Sequence, residues 1–411
     1  MTHLFRKLLT LDEAREAVAR LKLARLGSEQ VLLLKAHNRV LAENVTSKLD
    51  IPPFNRSTVD GYAVKAGDTF GADEKEPVRL RLCGIVNIGE LPKVTVTAGE
   101  AAEIVTGAPV PEGADAVVMV EDTEKSGEEL CVFSAVTSGE NVMKKGTDIK
   151  LGETVLKTGR ILGSREIGVL AALGLATVNV CAVPRVAVLS TGGEVTEPGR
   201  SLAPGKIFDI NAYTLYCAVL ECGGNPVYVG VVPDDKVKLR ESLERALEAA
   251  DVVLTSGGVS VGPKDLMPMT AASLGEPGLI FSGVAVKPGK PTTVALVGGK
   301  ALFALPGHPT SALLMFQLLA RPVIWRLSGR PATQVETIRA LTGMRLFSAK
   351  GRRTFVMVKL RKNDKNKVIA DPVETGASGA ITTLARADGY VEIPENQQFV
   401  DKNDEVEVTL F

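Results

Sequence analysis

Three short apolar stretches in the second half of the chain each run into a turn rich in glycine or proline. The stretches are residues 185–189, 251–254 and 301–305, and the turns after them are residues 190–194, 255–262 and 306–309. Short apolar runs that end at such turns are typical of strands buried in a parallel sheet. Because parallel strands end at one edge, where α/β folds bind their ligands, we expect the three turns to form one site.

Helical patterns alternate with these strands. Asn211 is predicted to begin a helix that runs to Cys222. Either Asp234 or Asp235 begins a second helix over residues 236–250, whose apolar face would consist of Val237, Leu239, Leu243 and Leu247. This alternation of strand and helix predicts a doubly wound α/β domain with a parallel sheet.

The sequence on either side predicts β-rich domains. Between residues 51 and 148, glycine and proline separate short alternating runs such as 78–83 and 93–97, which is typical of a small barrel or sandwich. Thr10 begins a capping box for an N-terminal helix that Gly27 is expected to end. Beyond residue 331, further strands are predicted over residues 337–341, 354–360, 367–372, 390–393 and 405–410.

The composition narrows the class of protein. The 411 residues carry 48 basic and 48 acidic side chains, so the global charge predicts neither a nucleic-acid partner nor binding to an anionic membrane. Five scattered cysteines and three histidines argue against a disulfide framework and a zinc site. Any metal would therefore be held by carboxylates, which favours magnesium. No apolar stretch is typical of a signal peptide or membrane anchor, so the cytoplasm is the expected location.

The turns contain residues suited to an oxyanion and to a cation. Glycines and hydroxyls in the first two turns allow backbone N–H groups to close on an anion, and Glu194 and Asp265 are placed to hold a cation. Lys287 and Lys290 lie in a stiff turn between apolar strands, where a cationic pair would bind a phosphate or another oxyanion. Neither glycine-rich turn matches the Walker or the dinucleotide-binding pattern. This combination of residues favours a protein that acts on a phosphate-bearing substrate with magnesium as the cation.

Other candidates have a plainer structural interpretation. Asp60, directly before Gly61, fits a turn residue that caps its own backbone, and Asp148 fits a turn residue equally well. The stretch 106–115 fits an ordinary loop between two strands. His308 is expected to serve turn hydrogen bonding rather than acid–base catalysis. The residues alone leave the substrate unidentified.

A series of motifs runs in order along nearly the whole chain. The motifs are Asn55-x-Ser57-x-x-Asp60-Gly-Tyr-Ala63, Thr106-Gly-Ala-Pro109 with Gly113-Ala-Asp115, Gly146-x-Asp148, Ser190-Thr-Gly192-x-Glu194, Asp209-x-Asn211, Asp234-Asp235, Ser256-Gly-Gly-Val-Ser-Val-Gly262 with Asp265, Lys287-Pro-Gly-Lys-Pro291 and Pro306-Gly-x-Pro309. Together they closely resemble the MoeA-type molybdopterin molybdenumtransferases, a family that includes the E domain of gephyrin. Two positions depart from it: His308 stands where many members carry Asn, and Gly193 where many carry Asp. The second change makes cation binding in that loop depend more on Glu194.

The resemblance implies a reaction and the residues that perform it. The reaction would be magnesium-dependent insertion of molybdate into adenylylated molybdopterin with release of AMP, in molybdenum cofactor biosynthesis. The acidic residues required for catalysis would be Asp60, Asp148, Glu194, Asp234 and Asp265. Magnesium would be bound by Glu194, Asp234 and Asp265. Oxyanion- and phosphate-binding positions would be Thr106, Lys287, Lys290 and Ser378. The remaining substrate-binding residues would be Ser57, Ser190, Thr191, Gly192, Ser256, Gly257, Gly258, Ser260, Pro306, Gly307, His308 and Pro309.

The resemblance also implies a fold and an assembly. A central doubly wound, MogA/MoaB-like α/β domain would be joined by β-rich and barrel domains. The segments would be an N-terminal helix at 1–26, an elongated linking and dimerisation domain from 27–50 and 149–181, a β-rich domain at 51–148, the α/β domain at 182–331 and a C-terminal β-barrel at 332–411. The chain would form a homodimer with the active site at the subunit interface. Transient contacts with a molybdopterin adenylyltransferase and with acceptor molybdoenzymes are expected.

Two alternatives stay open. Tungstate insertion would use the same chemistry, because molybdate and tungstate are tetrahedral dianions of nearly equal size. A non-catalytic pterin carrier or scaffold is the second alternative. Scaffolding would normally bring a fused partner domain or a long linker, and the sequence shows neither.

Overall fold

The structure, a computed structural model, describes residues 8–258, 266–331, 335–373 and 381–411. The chain divides into two compact units. Unit 1 comprises Met1–Ala42, Gly159–Gly163 and Thr177–Phe411, and unit 2 comprises Glu43–Thr158 and Ser164–Ala176. No helix in the described ranges has the length and apolar character needed to cross a bilayer. The five predicted domain borders stay predictions.

The elements are numbered in chain order. The helices are α1 Leu11–Ala19, α2 Ser164–Ala172, α3 Asn211–Glu221, α4 Lys236–Ala249, α5 Leu266–Ala272, α6 Pro309–Met315, α7 Arg321–Leu327 and α8 Thr382–Arg386. A π-helical segment, Phe316–Ala320, joins α6 to α7, and short 3₁₀ segments occur at Leu33–Lys35, Ala66–Thr69 and Val120–Asp122.

The strands are β1 Ser28–Leu32, β2 Val45–Thr46, β3 Arg56–Ser57, β4 Gly61–Val64, β5 Val78–Val86, β6 Glu100–Ile104, β7 Ala116–Met119, β8 Thr123–Ser126, β9 Glu129–Val132, β10 Val142–Met143, β11 Thr154–Leu156, β12 Thr177–Cys181, β13 Arg185–Thr191, β14 Val195–Thr196, β15 Ile207–Phe208, β16 Asn225–Val232, β17 Val252–Ser256, β18 Pro277–Ser282, β19 Val286–Lys287, β20 Thr293–Val297, β21 Lys300–Leu305, β22 Thr337–Thr342, β23 Leu346–Phe347, β24 Arg353–Lys362, β25 Val368–Pro372, β26 Gly389–Ile393, β27 Phe399–Val400 and β28 Glu405–Leu410.

The central sheet of unit 1 has six strands in the order β16-β13-β17-β21-β20-β18. The first four strands are parallel, as predicted. The prediction of a wholly parallel sheet is wrong at one edge, because β20 and β18 are antiparallel to their neighbours. Gly298 and Gly299, with φ of 55° and 79°, form a two-residue hairpin between β20 and β21. Left-handed glycine pairs are typical of such hairpins, so the sequence did contain the signal.

Both faces of this sheet are buried, which confirms the doubly wound architecture. Val186 and Val188 pack in a cluster with side chains of α3, α6 and α7. Ala187 and Leu189, on the opposite face of β13, pack against α4 and α5. Because successive strand residues point to opposite faces, a strand covered on both sides must be apolar throughout. This explains the uninterrupted apolar runs in the sequence.

Helix α1 has the predicted capping box, since the Glu13 N–H donates to the Thr10 hydroxyl at 3.2 Å and the Thr10 N–H to the Glu13 carboxylate at 2.7 Å. The helix ends at Ala19, so the predicted end at Gly27 is wrong. Arg326 donates to the carbonyl oxygens of Ala19 and, at 3.2 Å, Leu21. A tertiary contact therefore takes up carbonyls at the end of the helix.

Helix α4 confirms the position of the predicted second helix but corrects its apolar face. Leu239, Leu243 and Leu247 are buried, whereas Val237 is 63% exposed. Val237 lies in the first turn, where the Asp235 carboxylate accepts its N–H at 3.0 Å. The residue therefore serves the helix start and not the core.

The C-terminal part of unit 1 is a closed five-stranded barrel, as predicted. Strands β24, β25, β22, β28 and β26 follow one another, and β24 also pairs with β26, which closes the ring. Strand β24 spans both neighbours because its first half pairs with β26 and its second half with β25. Closure removes the exposed edges that an open sheet would have.

Unit 2 contains a six-stranded sheet in the order β7-β4-β6-β5-β9-β8, with an apolar cluster on each face. This confirms a β-rich region. The predicted strand over 93–97 is wrong, because only Thr95 forms a bridge, to Glu112. The paired strands β2 and β11 and helix α2 belong to the same unit.

Arg353, at the start of β24, joins the barrel to α1. Its guanidinium donates to both carboxylate oxygens of Asp12 at 2.9 and 2.8 Å, and to Glu395 at 2.9 Å. The hydrogen bonds from Arg353 hold the pKa values of Asp12 and Glu395 below their usual range. The Arg353 side chain is only 15% exposed, whereas Asp12 and Glu395 are 64% and 39% exposed, so burial of the guanidinium distinguishes this network from an ordinary surface pair.

We expect Arg353→Met to lower the free energy of unfolding of unit 1 by about 1–2 kcal/mol, because it removes several charge-assisted hydrogen bonds. Trp325, the single tryptophan of the chain, allows urea unfolding of this unit to be followed by fluorescence. The matched control is Arg339→Met, whose pair with Glu405 is exposed and should contribute less than about 0.5 kcal/mol. Equal losses in both variants would contradict the assignment.

The same network predicts a pH dependence. Carboxylates with lowered pKa values stabilise the folded chain fully above their unfolded pKa values of 3.8 and 4.5. That contribution is lost as the pH falls through the lower values of the folded state. The difference between wild type and Arg353→Met should therefore shrink below about pH 4.

Candidate active site

The three predicted turns lie side by side at one edge of the central sheet. Strand β17 lies between β13 and β21, and Ser256 is in register with both Ser190 and Leu305. The turns that begin with Gly192, Gly257 and Pro306 therefore leave the sheet at the same level. The structure thus brings together three stretches that are far apart in the sequence.

Two polar side chains at the start of α3 connect the turns. Asp209 is 4% exposed, and its Oδ1 accepts from the Ser190 hydroxyl at 2.8 Å and the Ala212 N–H at 3.1 Å. Asn211 donates to the Ser256 hydroxyl at 2.6 Å and to the Gly307 carbonyl at 2.7 Å. Asp209 and Asn211 were not predicted as site residues, although the Asp-x-Asn motif before a helix was the available signal.

The second turn requires glycine at two positions. Gly257 and Gly258 have φ of 91° and 67°, in the left-handed region. A Cβ atom on Gly257 would lie 2.3 Å from the Thr191 carbonyl oxygen, and one on Gly258 would lie 2.8 Å from the Thr191 hydroxyl. Glycine therefore allows the second turn to pack directly on the first.

Two predicted catalytic carboxylates meet at the first turn. Asp234 accepts the Gly193 N–H at 3.1 Å, while its neighbour Asp235 caps α4. The Glu194 carboxylate folds back over Gly192, where an added Cβ would be 2.7 Å from its Oε2. Lys206 donates to the Gly193 carbonyl and closes the other side of the loop. Two carboxylates at one loop offer oxygen ligands to a hard cation.

A larger set of metal-binding side chains is not present among the residues that the structure describes. The third predicted magnesium ligand, Asp265, lies outside those residues, as do Ser260 and Ser378. Their predicted roles stay predictions.

Lys287 and Lys290 lie on the wall of a cavity of about 910 Å³ beside the turns. Glu194, Gly257 and His308 border the cavity from the sheet edge, and Arg352 from the barrel side. The turn that carries the lysines is held by a hydrogen bond from Thr292 to the Gly289 carbonyl at 2.7 Å. In the described part of the chain, neither lysine ammonium has a hydrogen bond or an ion pair. This wall is suited to an oxyanion.

A second cavity of about 620 Å³ adjoins the first and shares Glu194, Gly257, Gly307 and His308 with it. Its walls combine apolar side chains with the polar groups of the sheet edge. The apolar residues are Val195, Leu202, Ile207, Phe208, Ile210 and Ile381. The two adjoining cavities at the edge of this α/β sheet therefore offer a cationic wall and an apolar wall side by side.

Two of the predicted residues of unit 2, Asp60 and Thr106, are hydrogen-bonded to each other. Thr106 donates its N–H and its hydroxyl to Asp60 Oδ1, at 2.7 and 2.9 Å. These hydrogen bonds, the backbone N–H first, lower the pKa of Asp60, so the exposed carboxylate is ionised at neutral pH. Asn55 joins the neighbouring loops, since its carbonyl accepts from Val110 and its side chain from Lys145, both at 2.9 Å.

The other two candidates of unit 2 differ in accessibility. Ser57 is 1% exposed, and its hydroxyl exchanges hydrogen bonds with Val59 at 2.5 and 3.2 Å. The Ser57 hydroxyl is therefore occupied within its own turn. Asp148 has an exposed carboxylate and lies directly after the loop that contacts Asn55. Substrate binding by Ser57 and catalysis by Asp148 stay predictions.

Three family models match the chain in succession. They are the MoeA N-terminal region (domain I and II) over residues 9–174, the probable molybdopterin binding domain over residues 187–326, and the MoeA C-terminal region (domain IV) over residues 339–411. The matches cover both units and include the sheet edge described above.

Named relatives match over nearly the full length. Molybdopterin molybdenumtransferase 2 of Mycobacterium tuberculosis is 35% identical over 370 residues, which cover 89% of this chain and 91% of the relative. The molybdopterin molybdenumtransferase of Bacillus subtilis is 33% identical over 389 residues, with 93% and 90% covered. The crystal structure of a molybdopterin biosynthesis MoeA protein of Pyrococcus horikoshii matches with a TM-score of 0.87 and 43% identity, over 98% of this chain and 99% of that one. The chain therefore belongs to the MoeA family of molybdopterin molybdenumtransferases, which are enzymes.

We expect Gly257→Ala to destabilise the sheet edge by about 1–3 kcal/mol, because the new Cβ would meet the Thr191 carbonyl and the left-handed backbone disfavours alanine. Thermal unfolding followed by Trp325 fluorescence measures the loss. Gly193→Ala is the matched control, since its φ is not left-handed and the atom nearest to an added Cβ is 3.9 Å away. An unchanged melting temperature for Gly257→Ala would refute the close packing of the two turns.

Proposed function

We propose that the protein inserts molybdate into adenylylated molybdopterin and releases AMP, a step of molybdenum cofactor biosynthesis. The observation that carries the proposal is the pair of adjoining cavities at the sheet edge, one with lysines that have no ionic partner among the described residues and one with apolar walls. Adenylylated molybdopterin has a flat pterin and a charged phosphoanhydride, so it requires both kinds of surface. Family membership supports the same substrate class.

The cation-lined cavity is the proposed site for the phosphoanhydride and for molybdate. Molybdate is a tetrahedral dianion, so it is expected among ammonium groups and backbone N–H groups rather than among carboxylates. Lys287, Lys290 and Arg352 supply positive charge on this wall. The pterin would occupy the second cavity, where Ile207 and Phe208 provide apolar surface.

The acidic residues of the first turn fit magnesium. Magnesium is usually bound by one or two carboxylates together with substrate phosphate oxygens, and Glu194 and Asp234 meet at one loop. When bound, the ion supplies positive charge that offsets the charge developing on the phosphoryl oxygens. The chain itself orients Asp234, because the Gly193 N–H donates to its carboxylate and Lys206 donates to the Gly193 carbonyl.

Asp60 is proposed to enter the site from a second subunit, so that the active enzyme is a homodimer. The surface beside Asp60 supports this proposal. Val120, whose N–H donates to the Asp60 carbonyl at 3.0 Å, is 47% exposed, and Val105, next to Thr106, is 40% exposed. Apolar side chains around an ionised carboxylate are suited to burial against another copy of the chain.

The cytoplasm is the expected location. A molybdopterin adenylyltransferase would supply the substrate, and molybdoenzymes would accept the product. Tungstate insertion is the enzymatic alternative, and a pterin carrier or scaffold is the non-catalytic one. The two lysines, which have no ionic partner in the described ranges, and the two carboxylates at the first turn favour catalysis over carriage.

We expect Asp60→Asn to lower AMP release by at least about 100-fold while the fold and pterin binding are retained, because the carboxylate is exposed and supports no core contact. The assay uses adenylylated molybdopterin, magnesium and either molybdate or tungstate. Asp73→Asn is the matched control, since Asp73 also accepts backbone N–H groups in a loop of unit 2, at 2.7 and 2.6 Å. It should leave turnover unchanged.

The same assay separates the alternatives. Turnover with only one of the two oxyanions would identify the metal. Tight pterin binding by the wild type without AMP release would contradict the enzymatic proposal and favour the carrier. Full activity of Asp60→Asn would show that Asp60 is not part of the active site.

A further inference from the structure

A third cavity of unit 1, of about 530 Å³, lies away from the sheet edge. It is bounded by α1, the π-helical segment, α7 and Tyr390. Among the described residues, none lines both this cavity and either of the two cavities at the turns. Its volume falls within the range of small-molecule sites. The proposed function makes no use of it.

The cavity wall is cationic. Arg15, Arg321, Arg326 and Arg330 line it, and no carboxylate is among the described lining residues. Arg15 lies 3.7 Å from an oxygen of Asp12 and 4.0 Å from one of Glu392. Arg326 donates to backbone carbonyls of α1 and the turn after it, and Arg330 donates to Asn38 at 2.8 and 2.9 Å. Three of the four guanidinium groups therefore have protein partners.

Arg321 is the exception. It makes no hydrogen bond or ion pair with any residue that the structure describes, and its Nε is buried without a partner. Its guanidinium stacks on the Trp325 ring, 4.7 Å from the centroid. Burial lowers the pKa of Arg321 from its usual value. A half-buried cation without a counter-charge costs free energy, which an anion in the cavity would recover.

The remaining walls are apolar and partly flat. Val18, Leu318 and Val323 face the cavity together with the rings of Trp325 and Tyr390. The Trp325 N–H and the Gln317 side-chain oxygen are also buried without partners. Flat aromatic walls beside a guanidinium suit a ligand that has a ring and an oxyanion.

We infer that this cavity binds a small organic oxyanion, a phosphate or carboxylate carried on an aromatic ring. The oxyanion pairs with the planar fork of Arg321, which matches both groups in a bidentate geometry. The ring lies on the apolar wall formed by Leu318, Val323 and Trp325. The site is separate from the proposed pterin site and would therefore bind a different metabolite.

The single tryptophan makes the test specific, because Trp325 lines this cavity and no other tryptophan exists in the chain. The full-length protein is titrated with AMP and with benzoate, and tryptophan emission is excited beyond tyrosine absorption. Adenosine and inorganic phosphate are titrated separately, since each retains one half of the ligand. AMP and benzoate distinguish a phosphate from a carboxylate ligand.

We expect a saturable change in Trp325 emission with AMP or benzoate below about 1 mM, and at least tenfold weaker binding of adenosine and inorganic phosphate. Arg321→Gln should weaken binding by about tenfold or more, because a charge-assisted pair is lost. Arg321→Lys keeps the charge without the planar fork and should be intermediate. Arg240→Gln, at an exposed pair with Glu244 on α4, is the matched control and should bind as the wild type does.

The outcomes are separable from those of the proposed function. Lys287→Ala, on the wall of the 910 Å³ cavity, should leave the Trp325 titration unchanged, even though AMP is the proposed product. Absence of a saturable change with both probes up to about 10 mM would overturn the inference. Equal affinities of wild type and Arg321→Gln would overturn it as well, whatever the AMP-release assay shows. If Arg321→Gln does not fold, the comparison of AMP with adenosine and phosphate, together with Arg321→Lys, decides.

Discussion

The parallel register of β13, β17 and β21 is the constraint on which the site of unit 1 depends. Ser190, Ser256 and Leu305 are in register near the ends of these strands, so the three turns that follow lie at one edge of the sheet. The strands are buried on both faces, and a shift by one residue would exchange the side chains of the two cores. Apolar packing therefore determines where the polar turns lie. Asp209 and Asn211 then connect the turns through buried hydrogen bonds.

The basic side chains of unit 1 differ in whether they have an ionic partner. Arg353 in the barrel forms ion pairs with several carboxylates, whereas Lys287 and Lys290 beside the turns have no ionic partner in the described chain. Ion pairs such as those of Arg353 stabilise the packing of neighbouring elements. Ammonium groups without an ionic partner, such as those of Lys287 and Lys290, are available to bind a ligand. The same distinction separates Arg321 from its neighbours in the third cavity. In unit 2, Thr106 keeps Asp60 ionised and oriented without burying it.

Local patterns in the sequence predicted much of the fold, while contacts between distant residues caused the errors. The capping box of α1, the start of α4 and the strands of the barrel were predicted because each depends on neighbouring residues. The end of α1 was not predicted, because Arg326, some 300 positions away in the sequence, donates to a carbonyl at that end. The antiparallel edge of the central sheet was not predicted, although the Gly298-Gly299 pair is a local signal for the hairpin. At the site, the turns were identified, but the burial of Asp209 depends on folding around it.

The central claim is that the sheet edge of one subunit is completed by Asp60 of another, and subunit mixing tests it most directly. Asp60→Asn and Glu194→Gln proteins, each inactive alone, are unfolded together, refolded and assayed for AMP release. If the site is shared between subunits, half of the dimers are mixed and each has one intact site, which predicts about a quarter of the wild-type rate. A mixture no more active than the two variants measured separately would contradict the claim.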